Sequence, residues 1–268
     1  MSWEQCRTGR TRRAALVALT GLVLAAGCSG PDPRAPSTTT PPKTSATAAP
    51  SVSASPSATT GSSAAPEPTT TNTLPPPPRP TRPAPRTAGP LSAASLPVPA
   101  GWRTVEPPGN GELGQPGNGS WVQSTDPRYA AQGAIGIGCA TVTRDDYPDP
   151  TAALTGGYRS RAGDPGVGLA LQFGSPADAS VYWTAYVRGV RACERGAEGI
   201  STAGVREPEV DQGRGLVDRR TDETQDPTDW TEVGALRGDR VVLVNLGDPG
   251  HAVTDEAADR LLNRIPAP

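Results

Sequence analysis

"WTEVGALRGDRVVLVNLG", Trp230 to Gly247, decides the fold class. Two apolar runs rich in branched residues flank Arg237-Gly238-Asp239, a turn composition, so the stretch reads as a β-hairpin. The second arm, Val241 to Leu246, is apolar on both faces rather than at alternate positions, which makes it a central or covered strand. Further strands are expected at "AIGIGCATVT" (134 to 143), "GVGLALQF" (166 to 173) and "GLVDRR" (215 to 220).

The clearest helix is "SPADASVYWTAYVRGVRACERG", 175 to 196. Ser175 is a cap, Pro176 suits the first helical position, Asp178 completes a capping-box pattern and Gly196 ends the element. Ala179, Trp183, Tyr186, Val190 and Cys193 recur at spacings of four and three, which places them on one face, and that face reads as core. Stacking on a bound ligand is the other use open to Trp183 and Tyr186. A last helix is expected from about Thr254 to Ile265, with Asp255 and Glu256 at its start and Ala257, Ala258, Leu261, Leu262 and Ile265 at apolar spacing. Helices beside such strands give an α+β fold, a mostly antiparallel sheet with two or more packed helices.

Residues 1 to 92 have a different character. Ala14 to Ala26 is an apolar run of about 13 residues, short of the roughly 20 that span a bilayer core. Arg7, Arg10, Arg12 and Arg13 precede it and Ala25, Ala26 and Gly27 close it, the layout of an export signal over residues 1–27. Leu24-Ala25-Ala26-Gly27-Cys28 resembles the lipobox of bacterial lipoproteins, with Ala25 where that family usually has Leu. The resemblance implies that the Cys28 thiol receives a diacylglyceryl group and becomes the mature N-terminus. Acyl chains of the palmitate kind contribute roughly 0.8 kcal/mol per buried CH₂, so two or more hold a protein on a membrane. A plain cleaved signal or a short uncleaved anchor is the alternative. Residues 28–92, rich in Pro, Ser, Thr and Ala, have too little apolar surface to offset ordering entropy and read as a disordered stalk. Residues 93–268 are long enough for one extracytoplasmic domain.

That domain holds 16 arginines against 24 acidic residues, a net charge of −8, which argues against nucleic acid as a partner. With Cys6 in the signal and Cys28 assigned to lipid, Cys139 and Cys193 remain as an even pair for one disulfide in an oxidising compartment. The sole histidine, His251, and sole lysine, Lys43 in the stalk, remove most familiar catalytic machinery. Neither G-x-S-x-G nor S-x-x-K occurs to supply a nucleophile, so no catalytic residue is assigned and His251 reads as a solvent-facing loop residue. One imidazole and a paired set of thiols are too few for a zinc site; no metal or cofactor is expected. Asp145, Asp146 and Asp149 form one acidic group and Asp218, Asp222, Glu223, Asp226 and Asp229 another; both read as solvated turns rather than calcium loops. "GNGELG" (109 to 114) matches G-x-G-x-x-G without the preceding strand that would give it meaning.

A cysteine-bearing strand, the helix "ADASVYWTAYVRGVRAC", then "WTEVGALRGDRVVLVNLG" and the closing "DEAADRLLNRI" resemble the extracellular sensor domain of actinobacterial Ser/Thr kinases of the kinase-H type. The resemblance rests on Trp183, Cys193, Trp230 and the "RGDRVVLVNL" strand. Those sensors usually carry two disulfides, and this domain can form one. The resemblance implies a ligand-binding domain without catalysis and carries over no ligand contact; Trp183 and Trp230 are the candidate ligand-facing residues that this sequence itself offers.

The expectation is therefore a lipid-anchored protein on the extracytoplasmic face of the cell membrane, with a non-catalytic sensor or binding domain whose partner is a cell-wall glycan, a lipid or an envelope protein. The alternatives are a small wall hydrolase using a carboxylate pair and a structural envelope protein. Only a cysteine thiol can take the lipid, so Cys28→Ser is expected to leave the protein unprocessed or lost from the membrane fraction. Fractionation and immunoblotting check this, and a variant as membrane-bound and as fully processed as the parent would refute lipidation.

Overall fold

The computed structural model describes residues 80–107, 116–196, 199–223 and 227–268. The export signal, Cys28, most of the expected stalk and the 109–114 glycine motif lie outside the described residues. The hairpin comprises β8 (Thr228–Arg237) and β9 (Arg240–Gly247), joined by Gly238 and Asp239 with Arg237 opposite Arg240. Gly238 has φ +56°, the left-handed value that a two-residue loop matching the strand twist needs at its first position. Every residue of β9 is buried.

Seven strands run β1 (Arg103–Val105), β3 (Ala152–Arg159), β4 (Pro165–Gln172), β9, β8, β7 (Gly213–Asp222) and β5 (Ile200–Arg206) across one sheet. β2 (Val122–Thr125) adds to β3 and β6 (Glu209–Val210) to β7, and every pairing is antiparallel. β9 thus sits at the centre, where a strand without a polar face belongs.

Helices cover both faces. On one lie α1 (Pro127–Ile135) and α2 (Pro176–Ala192), and between them and the sheet Tyr182, Trp183, Tyr186 and Val190 pack with Leu169, Leu171, Leu216 and Leu243. On the other lies α3 (Asp255–Asn263), whose Ala258, Leu261 and Leu262 join Ile265, Leu91 and Leu96 over Val233, Val242, Val244 and Leu246. Burying one such side chain contributes about 1.5–3 kcal/mol. The caps are local: Ser175 Oγ accepts from Asp178 N at 3.1 Å and donates to its carboxylate at 2.8 Å, and Thr254 Oγ1 accepts from Ala257 N. No helix among the described residues is long and apolar enough to cross a membrane.

Two expectations change. The strand expected over 134–143 is instead the end of α1 followed by a loop. Asp126 caps α1 by accepting from Arg128 N at 2.9 Å and Pro127 starts it, so the apolar Ala130, Ala131, Ala134 and Ile135 follow a helical spacing into the core. The loop beyond passes so close to α2 that a Cβ on Gly138 would stand 2.6 Å from the backbone of Gly189. The polypeptide also joins the domain before residue 93: Leu91 is fully buried, Ser124 N donates to Pro85 O, and the Asn118 side chain donates to Ala84 O.

That close approach brings Cys139 to Cys193, whose Cα atoms are 4.9 Å apart across the disulfide. Cys139 N also donates to Gly189 O, which fixes the loop on the helix. Closing a loop over a separation of 54 residues contributes about 4 kcal/mol by chain entropy. Cys193→Ala is therefore expected to lower Tm by on the order of 10 °C, and mass spectrometry of the non-reduced protein to recover both cysteines in one linked peptide. Two free thiols in the folded, oxidised protein would contradict this.

Candidate functional site

The α2 face of the sheet carries charge where its alternation calls for apolar residues. Along β7, Leu216, Asp218 and Arg220 take successive positions on that face, and across β8 Glu232 stands opposite Asp218 and Trp230 opposite Arg220. Asp218 and Glu232 are each 1% exposed. The Arg220 guanidinium lies between them, 2.6 Å from Asp218 Oδ2 and 2.7 Å from Glu232 Oε2. α2 closes the group from above, with Tyr186 OH donating to Glu232 Oε1. Arg220 Nη1 donates to Ile137 O at 2.7 Å in the loop that carries Cys139, and Thr202 Oγ1 donates to Asp218 Oδ1 at 3.4 Å.

Two carboxylates share one guanidinium away from water, so one negative charge lacks an equal partner. Burial pushes the Glu232 carboxyl up to about 7, although Arg220 and the Tyr186 hydroxyl favour its ionised form. Burial likewise raises Asp218 against the pull of Arg220. Arg220 itself is raised: burial opposes its charge, but the Glu232 and Asp218 carboxylates outweigh that. Tyr186 is pushed well above its ordinary range by burial and then by the charge on Glu232. The centre can hold one proton close to neutral pH.

A second polar group forms where β7 and β8 run out. Asp229 accepts from Thr221 Oγ1 at 2.6 Å and from Gly250 N at 2.7 Å, and buried Asp248 accepts from Thr231 Oγ1 at 2.6 Å and from Val253 N. Thr221 and Gly250 hold Asp229 below the usual carboxylate range. His251 is drawn into this corner with a left-handed φ of 51° and a side chain only 23% exposed, rather than facing solvent. Its Nε2 lies 3.8 Å from Asp229 Oδ1 and 3.5 Å from Thr221 Oγ1, while Nδ1 is buried without a partner. A hydroxyl–imidazole–carboxylate relay needs the carboxylate on one ring nitrogen and the nucleophile on the other. Here both face the same nitrogen and the Thr221 proton goes to Asp229, so that relay is not assembled.

The tryptophans separate. Trp183 is fully buried against the sheet, its Nε1 without an acceptor, whereas Trp230 is half-buried beside the Arg220 centre. Asp218, read as part of a solvated turn, is an interior strand residue. Asp146 accepts from Thr143 N and pairs with Arg188 at 3.2 Å, and Asp149 pairs with Arg144. Among the described residues no group of three or more His, Cys, Asp or Glu could hold a metal ion. Arg220 and Glu232 were not singled out by the sequence. The signal that finds them is a charge at an inward position of an alternating strand, Leu216-x-Asp218-x-Arg220 and Glu232-x-Gly234-x-Leu236.

No protein-family description matches this chain, and no curated protein does. Among solved structures, the extracellular domain of PknH from Mycobacterium tuberculosis aligns with 64% of this chain and 85% of its own length, at 12% identity and a TM-score of 0.33. At that distance no residue's role transfers.

The raised Glu232 carboxyl has a signed consequence for stability. A group that holds its proton in the folded state up to about 7, against about 4.5 when unfolded, stabilises the fold fully below pH 4.5 and loses that contribution as pH rises through 7. Urea unfolding is expected to show the parent losing up to about 3 kcal/mol between pH 5 and pH 8, and Glu232→Gln losing much less. The depressed carboxylates, such as Asp229 and Asp255, act with opposite sign and at lower pH. Equal slopes for parent and variant would refute the assignment.

Proposed function

We propose that the chain is a membrane-anchored cell-envelope lipoprotein whose domain is a non-catalytic extracytoplasmic binding or sensor module. The Cys28 motif supports the anchor. The observation that carries the non-catalytic reading is the closure of the opposed carboxylates Asp218 and Glu232: each is 1% exposed and engaged by Arg220 beneath α2. A glycosidase needs two carboxyl groups facing one open site, about 5 to 10 Å apart with a glycosidic bond between them. The His251 corner lacks the order of contacts that nucleophilic catalysis requires. Trp230, half-buried at the edge of the Arg220 centre, is the ring best placed to meet an apolar or glycan-like envelope component.

Incubation of the purified protein with cell-wall glycan and peptide fragments, followed by mass spectrometry, is expected to yield no cleavage product. Titration with the glycan fragments is expected to change tryptophan fluorescence in the parent but not in Trp230→Ala, with His251→Ala behaving like the parent. Trp183→Ala is expected instead to cost about 3–5 kcal/mol of stability as a core truncation. Reproducible cleavage abolished by replacing one Asp or Glu would overturn the reading in favour of the hydrolase.

A further inference from the structure

Arg237 and Arg240 face each other across the β8–β9 turn. Directly opposed residues of an antiparallel pair project to the same side, here the side that carries Val233, Val242 and α3. Each is 8% exposed. Arg237 Nε is shut from solvent with no acceptor. Arg240 reaches only a neutral group: Nε and Nη2 lie 3.4 and 3.5 Å from Gln172 Oε1. Gln172 is held in turn, its Nε2 donating to Phe173 O at 3.2 Å and to Asp239 O at 3.3 Å. The Asp239 carboxylate acts on Arg240 without forming an ion pair, and burial outweighs it, lowering the arginine.

Elsewhere in this domain a buried guanidinium has its counter-charge, as Arg220 has twice over. Two like charges set opposite each other are unfavourable, and more so out of water. A buried lysine or carboxyl group relieves such a position by changing protonation, but a guanidinium does not. Neutralising this pair requires an anion. The pair lies at the end of the sheet beside half-exposed Asp239 and exposed Gly238, which the Pro268 ring approaches, so that an anion from solvent would reach it past these residues.

We propose that Arg237 and Arg240, with Gln172 holding Arg240 in place, form an oxyanion site at the turn end of the α3 face, taking one carboxylate or phosphate group between the two guanidinium forks. Planar forks match such groups with paired hydrogen bonds. The site is on the opposite face of the sheet from the Arg220 centre and does not depend on Cys28 or on the proposed binding role of Trp230.

The test is thermal unfolding and calorimetric titration of the purified full-length protein with inorganic phosphate, methyl phosphate, acetate and chloride at constant ionic strength. Phosphate or acetate at tenfold its half-saturating concentration is expected to raise Tm by roughly 3–5 °C, with chloride ineffective. A larger response to the phosphates assigns a phosphoryl ligand, a larger response to acetate a carboxylate. Arg237→Gln and Arg240→Gln are expected to lose the response. Arg237→Glu, which sets a carboxylate opposite Arg240, is expected to unfold at a higher temperature than the parent in oxyanion-free buffer and to ignore added phosphate. Equal responses in parent and variants, no response to any oxyanion, or a less stable Arg237→Glu would overturn the site.

Discussion

Val241 to Val244 and Leu246 present apolar side chains alternately to both faces of the sheet, and water cannot be allowed on either. That constraint organises the domain. Val241 and Leu243 require the layer made by α1 and α2; Val242, Val244 and Leu246 require α3 with Leu91 and Leu96. A sheet covered on one side would have left half of this strand exposed, which is why a wholly antiparallel sheet nonetheless takes three layers. The flanking β4 and β8 are mostly buried for the same reason, and polar residues return toward β1 and β5.

Within this apolar frame the exceptions are charged, and they are unbalanced in opposite senses. The α2 face buries two carboxylates around one guanidinium, Asp218 and Glu232 about Arg220. The α3 face buries two guanidiniums, Arg237 and Arg240, beside a neutral amide. The first imbalance is internal and is relieved by a proton. The second has no such outlet, because arginine keeps its charge. A sheet only one strand thick thus separates a centre that responds to acidity from one that responds to dissolved anions.

The hairpin, α2 and α3 were legible in the sequence because their signals are local: a glycine turn between branched runs, Ser175-Pro176 and Thr254 as caps, and apolar residues at helical spacing. Residues 134–143 were misread because a run of small and apolar residues has no firm period, and the deciding Asp126-Pro127 start lies eight residues upstream. The Cys139–Cys193 pairing was recoverable by counting cysteines, although the strand assigned to Cys139 was not correct. Asp218 was placed in a solvated turn and Arg220 and Glu232 escaped notice because a charged residue is ordinarily read as solvated, and only the β7–β8 register reveals that all three point inward. Leu91 was hidden by its Pro-rich surroundings, since the apolar cluster that buries it is built from residues far along the chain.

The N-terminal attachment also bears on how the domain would carry a mechanical load. Tension applied ahead of Ala84 reaches first the bonds that fasten this segment: Asn118 to Ala84 O and Val122 O, Ser124 N to Pro85 O, and Arg86 to Asn118 O. The tight Ala88–Leu91 bridge and the buried Leu91 side chain lie behind them. These contacts fasten the segment to the loop before β2 and to β2 itself, near one edge of the sheet, whereas β9 and the two charge centres lie further in. A pull from the N-terminal side of Ala84 would therefore strip this outer fastening before it loaded the central strands.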